Sequence, residues 1–226
     1  MSGLDLVIFD CDGVLVDSEP ISIAVLIDAV AAAGVPLDEQ TAYELFLGKS
    51  MATIRQIIEA DFGLAMTDGH LDEIRAEIFR RFKAELKPIA GVAAILPRLG
   101  VPYCVASSSQ PERIRLSLQV TGLLDQFEPH IYSATMVSRG KPFPDLFLHA
   151  ARSMGAEPAR CLVIEDSPAG ILAAERAGMR VFAFTGGSHA GEGVLQAAIE
   201  QLNPDRLFAD MDELPSLLAG TGPKAG

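Results

Sequence analysis

The chain has 226 residues, 49% of them apolar and 21% charged, enough to bury the core of one large domain or two smaller ones. A net charge of −12 argues against a nucleic-acid backbone as partner, but not against a phosphorylated small molecule, for which local charge matters more. No run is long and apolar enough to cross a membrane and no N-terminal segment resembles a secretion signal. Cys11, Cys104 and Cys161 are odd in number and lie in apolar runs, so they are expected to be reduced core thiols of a cytoplasmic protein.

In chain order, Leu4–Asp10 is the first expected strand. It ends in Asp10 and Asp12, two carboxylates two residues apart, with Gly13 following at once. Alone, Asp-x-Asp-Gly is a common turn composition. Two acids at the end of a buried strand nevertheless need a partner, and hard carboxylate oxygens suit Mg²⁺. From Ser18 to about Leu86 there are several helical patterns and no clear strand. They are Ser18–Ala33, Glu39–Leu47 stopping at Gly48, Met51–Phe62 stopping at Gly63, and Leu71–Phe82 after the turn-like Asp68-Gly69. The segment is too long for a simple crossover and is expected to be an inserted helical cap.

Beyond it, short β-rich runs alternate with helical ones. Strands are expected at Val101–Ser107, His130–Ser133, Cys161–Glu165 and Arg180–Phe184. Helices are expected at Val92–Leu99, Glu112–Thr121, Pro144–Met154 and Ala169–Ala177, with Gly155 and Gly178 closing two of them. The strands show little alternation, as in strands covered on both faces. The expected fold is α/β: a doubly wound, mostly parallel sheet formed by residues 1–17 and 87–226, with the all-helical cap at 18–86. Residues 220–226 carry no core-forming side chain and are expected to fray.

Ligands of open α/β sheets bind at the carboxyl ends of the strands. Four polar features fall there: Asp10 with Asp12; Ser107-Ser108-Ser109; Lys141 in Gly-Lys-Pro-Phe-Pro-Asp; and Glu165-Asp166-Ser167-Pro168. Each has an ordinary reading. Ser109 suits a helix N-cap, Lys141 a solvated loop, and Glu165-Asp166-Ser167-Pro168 a helix start. Together they supply the parts of a phosphoryl-transfer site. Asp10 would be the nucleophile and Asp12 the acid/base. Asp10, Asp12 (through its backbone carbonyl) and Asp166 would hold Mg²⁺, and Lys141 would balance charge on the transferring group. The Ser107 hydroxyl and the amides following Asp10 and Ser107, at Cys11, Gly13 and Ser108, would bind phosphate oxygens.

These four segments resemble the four motifs of the haloacid dehalogenase superfamily over nearly the whole chain, with the helical insertion in place of that family's C1-type cap. Within it the chain is similar to the branch with β-phosphoglucomutase, phosphoglycolate phosphatase and 6-phosphogluconate-type sugar phosphatases. The resemblance implies a Mg²⁺-dependent phosphatase acting on a small phosphorylated sugar or sugar acid, and it adds Glu165 to the acids that would hold Mg²⁺. Asp12 argues against dehalogenation, because a halide leaves without a proton. A hexose-phosphate mutase is the alternative, weakened because no histidine precedes His70. A phospho-aspartate receiver-like module is a further alternative, disfavoured by the order of the motifs. Gly48 and Lys49 fall where this branch has its specificity loop, and would contact substrate. No catalytic or metal-ligating role falls to His70, His130, His149 or His189, and the oligomeric state stays open, with a monomer plausible.

Overall fold

The computed structural model describes residues 3–47, 49, 51–189 and 194–220. Gly48, a candidate substrate contact, and 221–226, most of the tail expected to fray, lie outside them. The chain divides into two compact units, Met1–Asp17 with Lys87–Gly226, and Ser18–Leu86.

The first unit is built on six parallel strands. In chain order it runs β1 (Leu6–Phe9), then, after the helical unit's α1 to α4, α5 (Val92–Ile95), β2 (Tyr103–Ser107), α6 (Pro111–Val120), α7 (Leu124–Phe127) and β3 (Ile131–Ser133). It continues α8 (Asp145–Ser153), β4 (Cys161–Glu165), α9 (Pro168–Arg176), β5 (Arg180–Phe184), α10 (Val194–Gln201), β6 (Arg206–Phe208) and α11 (Leu214–Ala219). The sheet order is β3-β2-β1-β4-β5-β6. All pairs are parallel, and Ile8 of β1 lies level with Cys104 of β2 and Val163 of β4. The order in which successive strands are added reverses between β1 and β4, the switch point at which such sheets bind ligands.

Strand alternation explains the two cores. Leu6 and Ile8 join Cys104, Ala106, Leu146, Phe147, Val163 and Ile171 on the face covered by α8 and α9. Phe9 meets Phe127 and Tyr103 edge-on at 6.2 and 6.4 Å on the other face. β1, β4 and β5 are buried throughout, as strands covered on both faces are, and carry apolar residues at every position except Glu165 at the end of β4 and Arg180 at the start of β5.

The sixth strand and the last two helices had not been expected. β6 is an edge strand of three residues with Arg206 and Leu207 exposed, so it carries no run of buried β-branched residues to announce it.

The helical unit comprises α1 (Glu19–Ala32), α2 (Glu39–Phe46), α3 (Met51–Phe62) and α4 (Asp68–Glu85). α1 packs on α2 and α4, burying Val25, Leu26 and Val30 of α1 with Ile74, Ile78 and Phe82 of α4. Arg81 of α4 reaches Asp28 of α1 at 2.5 Å and Glu77 at 2.9 Å. Asp68-Gly69, taken from sequence as a turn, instead opens α4. Thr67 accepts from the His70 amide (3.2 Å) and His70 Nδ1 from the Thr67 amide (3.3 Å), satisfying two amides that a helix start otherwise leaves open. His70 therefore caps a helix.

Candidate active site

Four loops at the carboxyl ends of β1, β2, β3 and β4 bring the acids, hydroxyls and lysine together. The ordinary reading of Lys141 fails: its side chain is 4% exposed, and Nζ donates to Asp10 Oδ1 at 2.5 Å and Glu165 Oε1 at 2.6 Å. The ammonium also sits 5.0 Å from the centre of the Phe147 ring. The loop between β3 and α8 thus buries a cation 131 residues away in sequence from the acid it meets.

Glu165 is 1% exposed, and its second oxygen, Oε2, is also committed. It accepts from the Asp166 amide (2.8 Å), the Ser167 amide (2.8 Å) and the Ser167 hydroxyl (2.9 Å). Ser167 in turn caps α9 through the Gly170 amide, so capping and chemistry share this segment. Gly170 is required: a Cβ there would lie 1.8 Å from Glu165 Oε1.

Asp10, Glu165 and Asp166 each offer an oxygen, all within 4.8 Å of one another. Burial pushes the Asp10 and Asp166 carboxyls well above the usual carboxylate range; the neighbouring acids add to the effect, while Lys141 opposes it. Burial pulls Lys141 downward, but Asp10 and Glu165 outweigh this and hold its ammonium above the ordinary lysine range. Among the described residues three buried acids share one ammonium, so with all three ionised, as a metal site requires, the cluster is short of positive charge. An all-oxygen donor set of this kind fits a hard divalent cation.

The Asp12 side chain points elsewhere. Its Oδ2 accepts from the Ser109 hydroxyl at 2.7 Å and, at the 3.5 Å limit, from Ser107. Its Oδ1 accepts from Arg113 Nη2 at 3.0 Å and Nε at 3.4 Å. The Asp12 carboxylate is therefore outside the acid trio, and only its backbone carbonyl is left as the metal donor expected from the sequence. Ser109 does not cap α6, whose N-cap is Gln110 with no side-chain cap bond. The Ser107 hydroxyl accepts from the Ser109 amide (3.0 Å), which folds Ser107–Ser109 into a turn; Ser133 holds that turn through the Ser109 carbonyl (2.7 Å). Ser108 is exposed at its crest.

Gly13 has φ +78°, and a Cβ there would lie 1.9 Å from Asp166 Oδ2. Its amide donates to the Val16 carbonyl at 2.8 Å, so the glycine makes room for Asp166, and its amide is spent on the loop. Cys11 is buried. Burial, Asp12 and Asp10 push its thiol well above the ordinary value, which leaves its backbone as the part able to meet a ligand. Lys49, in the helical unit, donates to the Leu45 carbonyl at 2.5 Å.

Two residues of this site carried no sequence signal. Arg113 sits on a helix that reads as surface. His189, with a side chain 1% exposed, meets Asp166 Oδ2 through Nε2 at 2.9 Å. Its neighbour Ser188 donates to Asp17 through its hydroxyl (2.6 Å) and amide (3.2 Å).

Buried acids with a lysine at the switch point of a parallel sheet are the parts of a site that handles a phosphate group. Residues 4–178 match the family model described as haloacid dehalogenase-like hydrolase. The 6-phosphogluconate phosphatase of Escherichia coli (strain K12) is 33% identical over 190 residues, covering 84% of this chain and 86% of that protein. A conserved haloacid dehalogenase-like protein of unknown function from Agrobacterium tumefaciens str. C58 is 38% identical at a TM-score of 0.85, covering 96% of this chain and 98% of that one. A family hydrolase from Deinococcus radiodurans R1, solved with bound phosphate and sodium, is 32% identical at a TM-score of 0.79 over 98% and 97% of the two chains. The chain belongs to the haloacid dehalogenase-like hydrolases, as a phosphoric monoester hydrolase.

Proposed function

We propose that this protein is a Mg²⁺-dependent phosphatase that hydrolyses a small phosphorylated sugar or sugar acid through an aspartyl-phosphate on Asp10. The observation that carries the reading is the buried trio of Asp10, Glu165 and Asp166 facing a single ammonium, Lys141. Magnesium, held by Asp10, Asp166 and the Asp12 carbonyl, would supply the missing positive charge opposite the phosphate oxygens; Glu165, expected as a further ligand, has both oxygens bonded to Lys141 and to the Ser167 turn and is left to hold Lys141. Lys141 adds a fixed positive charge for the transferring group and is kept in place by Glu165.

In the first step an Asp10 carboxylate oxygen bonds to phosphorus as the bond to the sugar oxygen breaks, and protonated Asp12 gives that oxygen its proton. In the second, Asp12 takes a proton from a water that attacks the same phosphorus, releasing inorganic phosphate and restoring the Asp10 carboxylate. The Ser107 hydroxyl and the turn amides at Cys11 and Ser108 hold the remaining phosphate oxygens. Ser18–Leu86 acts as the specificity cap, with Lys49 among its candidate substrate contacts. The similarity to a 6-phosphogluconate phosphatase supports a polyhydroxylated, acidic leaving group.

The test is phosphate release from a panel of sugar phosphates and phosphorylated sugar acids. Activity should need Mg²⁺, disappear with chelator and return on re-addition, and Asp10→Asn should abolish it. Undiminished turnover by Asp10→Asn would remove the nucleophile from this account.

A further inference from the structure

We propose that Arg113 is a positioning residue for Asp12, turning the Oδ2 edge of its carboxylate toward the leaving group. The proposal rests on the acid/base role given to Asp12 above. Arg113 lies near the start of α6, and its side chain is 19% exposed against 13% for Asp12, so the pair is largely shielded from water. Both its Nη2 (3.0 Å) and its Nε (3.4 Å) go to the same oxygen, Oδ1. A guanidinium only donates, so Oδ1 faces a group that cannot take a proton from it. Oδ2 faces the Ser109 hydroxyl at 2.7 Å, a group that can donate or accept. Of the two oxygens, Oδ2 is therefore the one that can carry a proton and pass it on.

This anchoring is needed because Asp12 lies outside the trio formed by Asp10, Glu165 and Asp166, which are held by Lys141, by the Ser167 turn and by His189. A general acid must point its proton at the bridging oxygen, and a short carboxylate with one anchored edge has its plane set. A tie between α6 and the loop after β1 would involve the same atoms without any such role. The two differ in one property. A tie affects every substrate alike, whereas a positioned acid matters in proportion to how badly the leaving group needs a proton.

The experiment uses the full chain with Mg²⁺ and a series of aryl phosphates, from phenyl to 2,4-dinitrophenyl phosphate, measuring kcat/KM, which covers the steps up to phosphoenzyme formation. Arg113→Met should lower kcat/KM for phenyl phosphate roughly 10–100-fold, part of what a general acid supplies, and leave the dinitrophenyl ester within about threefold. Arg113→Lys, which keeps the charge but not the fork, should fall between, and carries the test if the methionine variant does not fold. A uniform loss across the series, or none, would overturn the proposal. Asp12→Asn is the reference: if its losses do not grow with leaving-group basicity, it is the acid role of Asp12 that fails. A wild-type protein that releases phosphate from neither this series nor the sugar-phosphate panel above would sink the Mg²⁺-dependent phosphatase reading on which the proposal rests.

Discussion

Replacing Gly13 by alanine tests whether this glycine serves Asp166 or a bound phosphate. The added Cβ would stand 1.9 Å from Asp166 Oδ2 and 2.7 Å from His189 Cε1, about 1.5 Å short of ordinary contact at 3.4 Å with the carboxylate. Neither neighbour is the loose end of an exposed side chain, since both are buried and bonded to each other. A left-handed backbone also costs a non-glycine residue about 1–2 kcal/mol, or roughly 2–8 °C of melting temperature in a chain of this size. A displacement of about 1 Å near reacting groups costs on the order of 10²-fold in rate. Gly13→Ala is therefore expected to stay folded, to lose at least about 10²-fold in kcat, and to need more Mg²⁺ for half-maximal stabilisation in a thermal melt. A glycine that served only to present its amide to phosphate would raise KM and leave the Mg²⁺ response unchanged. That result, or activity within about threefold of wild type, would refute the reasoning.

Lys141→Met removes the only cation bonded to Asp10 and Glu165 among the described contacts, and removing one partner of a buried pair costs roughly 3–5 kcal/mol. Without metal, the variant should melt well below wild type, with Mg²⁺ recovering part of the loss, and activity should drop by at least about 10²-fold; an unchanged melting curve would contradict the buried ion pair. The raised Asp10 and Asp166 carboxyls set a pH dependence with a definite sign. Their unfolded forms lose protons near 3.8, whereas the folded protein retains them to higher pH. The stability they contribute to the metal-free protein is thus complete below that value and is lost as pH rises through the folded values. Metal binding expels those protons, so the Mg²⁺-induced rise in melting temperature should grow with pH; a pH-independent increment in differential scanning fluorimetry would contradict it.

Much of the fold was legible because its signals are local. A strand buried on both faces is apolar along its interior, so Cys161–Glu165 and Arg180–Phe184, charged only at one end, coincide with the sequence expectation. Helix ends shifted by a few residues where a side-chain cap overrode a turn residue, as Thr67 and His70 did at Gly69. β6 lacked any such signal, because an exposed edge strand has no buried face to pattern it.

The sequence by itself determined which chemical groups exist and which strand ends carry them. Asp10, Asp12, Ser107, Lys141, Glu165 and Asp166 were named as candidates because they occur together, in this order, at or just beyond the ends of apolar strands, where acids are costly to bury without a partner. Only the tertiary structure decided how those groups divide the work. It turned Lys141 inward between two acids, spent both Glu165 oxygens inside the protein, and sent the Asp12 carboxylate away from the trio to Arg113 and Ser109. Arg113 and His189 had no local signature, because an arginine near the start of a polar helix and a lone histidine in a glycine-rich loop resemble surface residues. Their partners lie 101 and 23 positions away, at Asp12 and Asp166, and charge pairing over such distances is set by which loops the sheet gathers at one edge, a property that no short stretch of sequence encodes.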